Sequence, residues 1–271
     1  VKSIVTMHDL IFERNPEQYN PIDVQTYRKK AKYACQYADK VIAISEQTKQ
    51  DLITYYNTPA DKIAVAYQSC DESFSVQHSK AEIAQMLEKY NFPKEYFLYV
   101  GSLIERKNLL GILQAMVQLK GKVDIPLVVV GGGSSYKKKV MDFIAANGLQ
   151  KSVILVNDTV KFAYNDLPAL YQGAQALIYP SFFEGFGIPI LEAMWCRTPV
   201  ITSSGSCFGE TAGDAAIYID PSNPETIANA MREVANNPAL MEELKEKGLR
   251  QAQKFTREKC AAEVMKVYQS L

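Results

Sequence analysis

Nine short apolar runs punctuate the chain: Ser3–Met7, Lys40–Ile44, Ile63–Tyr67, Tyr96–Val100, Pro126–Val130, Val153–Val156, Ala176–Tyr179, Pro199–Thr202 and Ala216–Ile219. Within most of them apolar residues follow one another without alternation, the pattern of a strand covered on both faces. Amphipathic segments separate most of the runs. In one of these, Leu109, Leu110, Ile112, Leu113, Met116 and Val117 recur at helical spacing. Ser79-Lys80-Ala81-Glu82 and Ser222-Asn223-Pro224-Glu225 read as capping boxes that start helices. Strands and helices in alternation predict an α/β fold with parallel sheets.

The six runs from Tyr96 onward make one complete doubly wound unit, and the three before residue 74 make half of one. Residues 1–74 therefore read as the C-terminal part of a first domain that is truncated at its N-terminus. Residues 75–255 read as a second, complete domain, and 256–271 as a closing helix. The polar stretch Ser69–Gln77 suits a hinge between the two. Val1 in place of Met fits a fragment or a trimmed chain. A half-built sheet leaves an edge or a face uncovered, so residues 1–74 are expected to be poorly ordered or covered by a second copy. That leaves a homo-oligomer open.

Chemistry concentrates in Pro180-Ser181-Phe182-Phe183-Glu184-Gly185-Phe186-Gly187-Ile188-Pro189-Ile190-Leu191-Glu192-Ala193-Met194. The string follows the strand Ala176–Tyr179 and opens a helix, with Pro189 suited to its first position. Gly185 and Gly187 let backbone approach a ligand closely. Glu184 falls in the loop and Glu192 about a turn into the helix. Four other strand ends carry candidate groups. Gly101-Ser102-Leu103-Ile104-Glu105-Arg106-Lys107-Asn108 sets two adjacent cations after Tyr96–Val100. Gly131-Gly132-Gly133 follows Pro126–Val130, but the run has Tyr136 where a dinucleotide fingerprint needs its third glycine, so no NAD site is read. His8 ends the first strand, and Ser45 after Val41–Ile44 reads most simply as an N-cap. Each group also has a plain structural reading: a first-turn Glu that complements the helix dipole, a solvated Arg–Lys pair, a tight turn, a strand-end His.

The string EGFGIPILEAM resembles the E-x7-E signature of the retaining glycosyltransferases of family 4, which have the GT-B fold. Looser similarity extends from Met7-His8-Asp9-Leu10 to the last helix. The resemblance implies two Rossmann-like domains, the second of them holding a nucleotide-sugar. It implies that Glu192 binds the nucleotide ribose and that Glu184, with the amides of Gly185, Phe186 and Gly187, holds the transferred sugar. Arg106 and Lys107 would stabilise the departing diphosphate, with Gly101 and Gly131 beside the nucleotide and His8 at the cleft edge. Glu210, in Phe208-Gly209-Glu210-Thr211, would touch donor or acceptor. Ser102 stands where the family often has a basic residue, which puts one phosphate contact in doubt. The implied reaction moves a hexose to a saccharide or lipid-linked acceptor with retention, and the donor would be GDP- or UDP-linked. A mannosyltransferase of surface polysaccharide synthesis fits. A nucleotide-sugar binding fragment without activity and a GT-B sugar-nucleotide epimerase remain alternatives.

Composition narrows the picture further. The 271 residues carry 30 Lys plus Arg against 30 Asp plus Glu, and that balance gives no support to nucleic-acid binding. No apolar run approaches a membrane span, although the family allows peripheral membrane contact through the first half of the first domain. Five scattered cysteines without a C-x-x-C fit a cytoplasmic setting, including the inner face of the membrane. The absence of D-x-D points away from a metal, and no cofactor is implied.

Overall fold

The structure, a computed structural model, describes residues 1–133 and 135–271. Strands β1 (Ile4–Met7), β2 (Lys40–Ala43) and β3 (Ile63–Val65) form a parallel sheet in that order. A second, six-stranded parallel sheet contains β4 (Phe97–Val100), β5 (Leu127–Val130), β6 (Val153–Leu155), β7 (Ala176–Tyr179), β8 (Val200–Ser203) and β9 (Ala216–Ile219). Its order is β6-β5-β4-β7-β8-β9, so chain direction across the sheet reverses between β4 and β7. Ligands of such sheets bind outside the carboxyl ends of the strands at that point.

Neighbouring residues of a strand face opposite ways. Leu98, Val128, Leu177 and Val200 pack on one face of the larger sheet, and Phe97, Tyr99, Leu127, Val129, Ile178 and Ile201 on the other. Both faces are dry, which is why these strands read as unbroken apolar runs. The run at 153–156 is one residue shorter as a strand, because Val156 begins a short helix, Val156–Thr159.

The smaller sheet is covered from within the chain. Val41, Ala43 and Ile63 meet Ala31 and Cys35 of helix Pro21–Tyr37 and Leu52 of helix Glu46–Tyr56. On the other face, Ile42 and Ala66 meet Val267 and Val264 of helix Arg257–Gln269. The expectation of disorder or a covering copy for residues 1–74 is corrected on this point. Among the described residues, what stays open in this sheet is its two outer edges, on β1 and on β3, which lack a strand partner. Arg257 also ties the connecting segment, donating to Asp71 and Glu72 at 3.0 Å each.

Ser79 caps helix Lys80–Lys89 in a full capping box with Glu82. At 222–225 the cap is Asn223, which accepts from the Glu225 N–H, while Ser222 turns back to Asp220. A short amide at the position before Pro224 took the role expected of the serine.

Candidate active site

At the ends of β4 and β7 two loops are stitched together. The Phe182 N–H donates to the Arg106 carbonyl at 2.9 Å, and Asn108 Nδ2 donates to the Pro180 carbonyl at 3.3 Å. Asn108 sits in the left-handed region (φ 55°) and caps helix Leu109–Leu119, which turns Arg106 and Lys107 inward. Arg106 Nη1 reaches the Phe183 carbonyl and lies 2.8 Å from Glu184 Oε2. Lys107 Nζ donates to the Tyr179 hydroxyl at 3.0 Å. It lies 3.2 Å from Glu184 Oε1 as an ion contact without hydrogen-bond alignment. Arg106 is 9% exposed and Glu184 8%. Burial alone would raise the Glu184 carboxyl, but the charges of Lys107 and Arg106 outweigh it and hold the group below its ordinary value. Two cations face one carboxylate here, so the cluster keeps a net positive charge in a nearly dry place. That arrangement suits a diphosphate.

Glu192 lies on helix Ile188–Trp195, and the Tyr171 hydroxyl donates to its Oε2 at 2.7 Å. Burial raises its carboxyl above the ordinary value, with Tyr171 opposing and Asp71 adding to the rise. Tyr164 stands within electrostatic reach of this carboxylate; burial first, then the Glu192 charge, push its phenol up. Tyr164 also lines a slot at the ends of β5 and β6, together with Val130, Asn157, Val160 and Phe162. The signal for this slot was faint: an aromatic–polar loop that no motif marks.

The glycines are where backbones meet. A Cβ on Gly131 would lie 1.9 Å from the Gly101 carbonyl oxygen, so the loops after β4 and β5 touch. The Lys107 side chain runs over Gly101. A Cβ on Gly185 would come within 2.3 Å of the His8 carbonyl oxygen, across the two sheets. Gly187 caps helix Ile188–Trp195, and Pro189 is its second residue rather than its first. The Phe186 ring is buried against Tyr67 and Phe255, leaving only its backbone for a ligand.

His8 follows β1 and is exposed, its Nδ1 3.2 Å from the Gln68 amide nitrogen. Ser45 is an N-cap, accepting from the Thr48 N–H at 3.0 Å. Glu210 departs from its expected place. Its carboxylate accepts from the backbone N–H groups of Glu46 (2.6 Å) and Gln47 (2.9 Å), because the free donors at a helix N-terminus attract a carboxylate. Among the described residues no group of three or more His, Cys, Asp or Glu could hold a metal ion. No helix there is long and apolar enough to cross a membrane.

Models of known families match both parts of the chain: Glycosyltransferase Family 4 at residues 1–74 and Glycosyl transferases group 1 at residues 80–251. The chain belongs to the glycosyl transferases group 1 family. O-antigen chain mannosyltransferase B of Escherichia coli is 31% identical over 274 residues, spanning 100% of this chain and 71% of that protein. O-antigen chain mannosyltransferase RfbU of Salmonella typhimurium is 28% identical over 234 residues, 86% of this chain and 61% of that protein. The chain spans 32% of the longer serotype-specific mannosyltransferase WbdA of Escherichia coli at 29% identity over 94% of its own length. Among solved structures, HepE of Anabaena in complex with UDP and glucose superposes with a TM-score of 0.86 at 19% identity, covering 100% of this chain and 72% of that one. A glycosyltransferase from Rickettsia africae gives 0.79 at 20% identity, over 98% and 70%. These likenesses show the GT-B fold.

Proposed function

We propose that this chain binds a nucleotide-sugar and transfers its hexose, with retention of configuration, to a saccharide or lipid-linked acceptor. The observation that carries the reading is the buried Glu184–Arg106–Lys107 cluster at the point where the larger sheet reverses its strand order. Arg106 and Lys107 would take the diphosphate, and its departing oxygen would accept the proton of the attacking hydroxyl on the same face of the sugar. Glu184, with the amides of residues 185–187, would face the sugar, where a negative charge favours a carbon gaining positive character. Glu192 would accept the ribose hydroxyls beside Tyr171, with the base in the slot of Val160, Phe162 and Tyr164.

A cleft of about 560 Å³ opens on the other side of Arg106, walled by Glu17, Gln18 and Tyr19 from the first sheet's side and by Leu103, Ile104 and Tyr136 from the second. An aromatic ring among carboxylate and amide groups suits a sugar acceptor there. Mannose from GDP-mannose is the donor we favour, since the named relatives are mannosyltransferases. The reading places residues 1–74 with the acceptor and 75–255 with the donor, in a cytoplasmic enzyme. Incubation with radiolabelled GDP-mannose, UDP-glucose and a lipid-linked saccharide, with the product anomer read by NMR, tests it. An α-linked product from an α-linked donor is expected. An inverted anomer, or free epimerised sugar nucleotide, would overturn the reading.

A further inference from the structure

Helix Glu46–Tyr56 belongs to the smaller sheet, yet the part of the chain that carries Glu184 grips it at two points. Glu210 caps its first amides, as described above. Five residues into the helix, Asp51 is 1% exposed and holds Arg14 by two hydrogen bonds, Nε to Oδ2 at 3.0 Å and Nη2 to Oδ1 at 2.5 Å. Gln47 Nε2 donates to the same Asp51 Oδ1 at 2.9 Å, so the carboxylate is fixed from both sides. The Arg14 guanidinium carbon then lies over the Phe183 ring of the other part of the molecule, 4.4 Å from its centre. Phe183 is buried, directly precedes Glu184, and has its carbonyl held by Arg106.

We propose that Arg14 is a positioning residue for Glu184: anchored on Asp51, it lies over the Phe183 ring and sets the loop that places the Glu184 carboxylate between Arg106 and Lys107. An ion pair serving the smaller sheet alone would need only Asp51. The guanidinium over the ring adds a cross-sheet contact whose strength rests on a delocalised cation above an aromatic face. Arg106 holds the Phe183 backbone and Arg14 holds its ring, so the peptide leading into Glu184 is clamped from opposite sides. Loss of one clamp leaves the ion cluster in place but frees its approach angle, and misplacement of that kind costs rate rather than nucleotide affinity.

The inference rests on the proposed transferase reading for its kinetic part, and hydrogen exchange at the backbone amides of residues 182–187 gives it a readout without turnover. Arg14→Gln is expected to speed exchange in that segment, to lower kcat about tenfold and to leave the nucleotide dissociation constant within twofold. Phe183→Leu should do the same, and the double variant should be no worse than either single one, because both remove the same contact. Arg14→Lys keeps the charge but not the plane, and should fall between wild type and Arg14→Gln. Unchanged exchange at 182–187 in both Arg14→Gln and Arg14→Lys, or fully additive losses in the double variant, overturns the assignment. If wild type turns over no donor, the transferase reading fails, and the exchange data still decide the role of Arg14.

Discussion

Glu184 and Glu192 are carboxylates of one string, eight positions apart, and their surroundings push them in opposite directions. Glu184 is held ionised by two cations, whereas Glu192 is buried beside a phenol and held toward its neutral form. The signs have different consequences. A carboxyl raised in the folded state favours folding at low pH and opposes it once pH climbs through the raised value. Glu192→Gln is therefore expected to raise Tm at pH 7 and leave it unchanged at pH 4, below the ordinary glutamate value of about 4.3. If Glu192 accepts ribose hydroxyls as a carboxylate, nucleoside affinity should weaken as pH falls through its raised pKa, and Glu192→Gln should be weaker by about 1.5 kcal/mol and flat with pH. Calorimetry from pH 4.5 to 7.5 checks both; a variant that binds as wild type throughout removes the ribose role. Both glutamates were legible in the sequence because the string around them is distinctive. Tyr171 and Asp51 were not, since each acts through a partner far away along the chain.

At the scale of elements, unbroken apolar runs located every strand to within two residues: burial on both faces removes the alternation, and the shortness of each run with its polar flanks tells it from a buried helix. Caps were read less well where two short polar residues adjoin, as at Ser222-Asn223, since either can meet the same amide. The glycine runs were readable as places of close approach, but not what they approach. Gly131 meets the carbonyl of Gly101 and lies at φ 152°, so a side chain there faces both a clash and an unfavourable backbone. Gly131→Ala is expected to cost about 3 kcal/mol of stability in urea unfolding. It should also displace Lys107, which runs over Gly101. A variant as stable as wild type would mean that the β4 and β5 loops can separate freely.

For the whole molecule, the sequence could not show how the two sheets face each other, because contacts between them join residues that no local pattern links. Gly185 against His8, Glu210 against Glu46 and Arg14 against Phe183 are all of this kind. Gly185→Ala would set a methyl group 2.3 Å from the His8 carbonyl oxygen and wedge the interface. The expected result is a larger radius of gyration by small-angle scattering and a loss of transfer of about a hundredfold, with Tm little changed. An unaltered scattering profile with full transfer would show that the contact is dispensable. The crossing of helix Arg257–Gln269 onto Ile42 and Ala66 carries a different consequence. The strands it covers emerge from the ribosome long before it does. One side of their sheet must stay uncovered, or be shielded by a chaperone, while some two hundred further residues are made. The larger sheet faces no such delay, and its assembly in the interval would bring the late helix back to the early strands. The order of synthesis and the order of completion thus run in opposite directions for the first sheet.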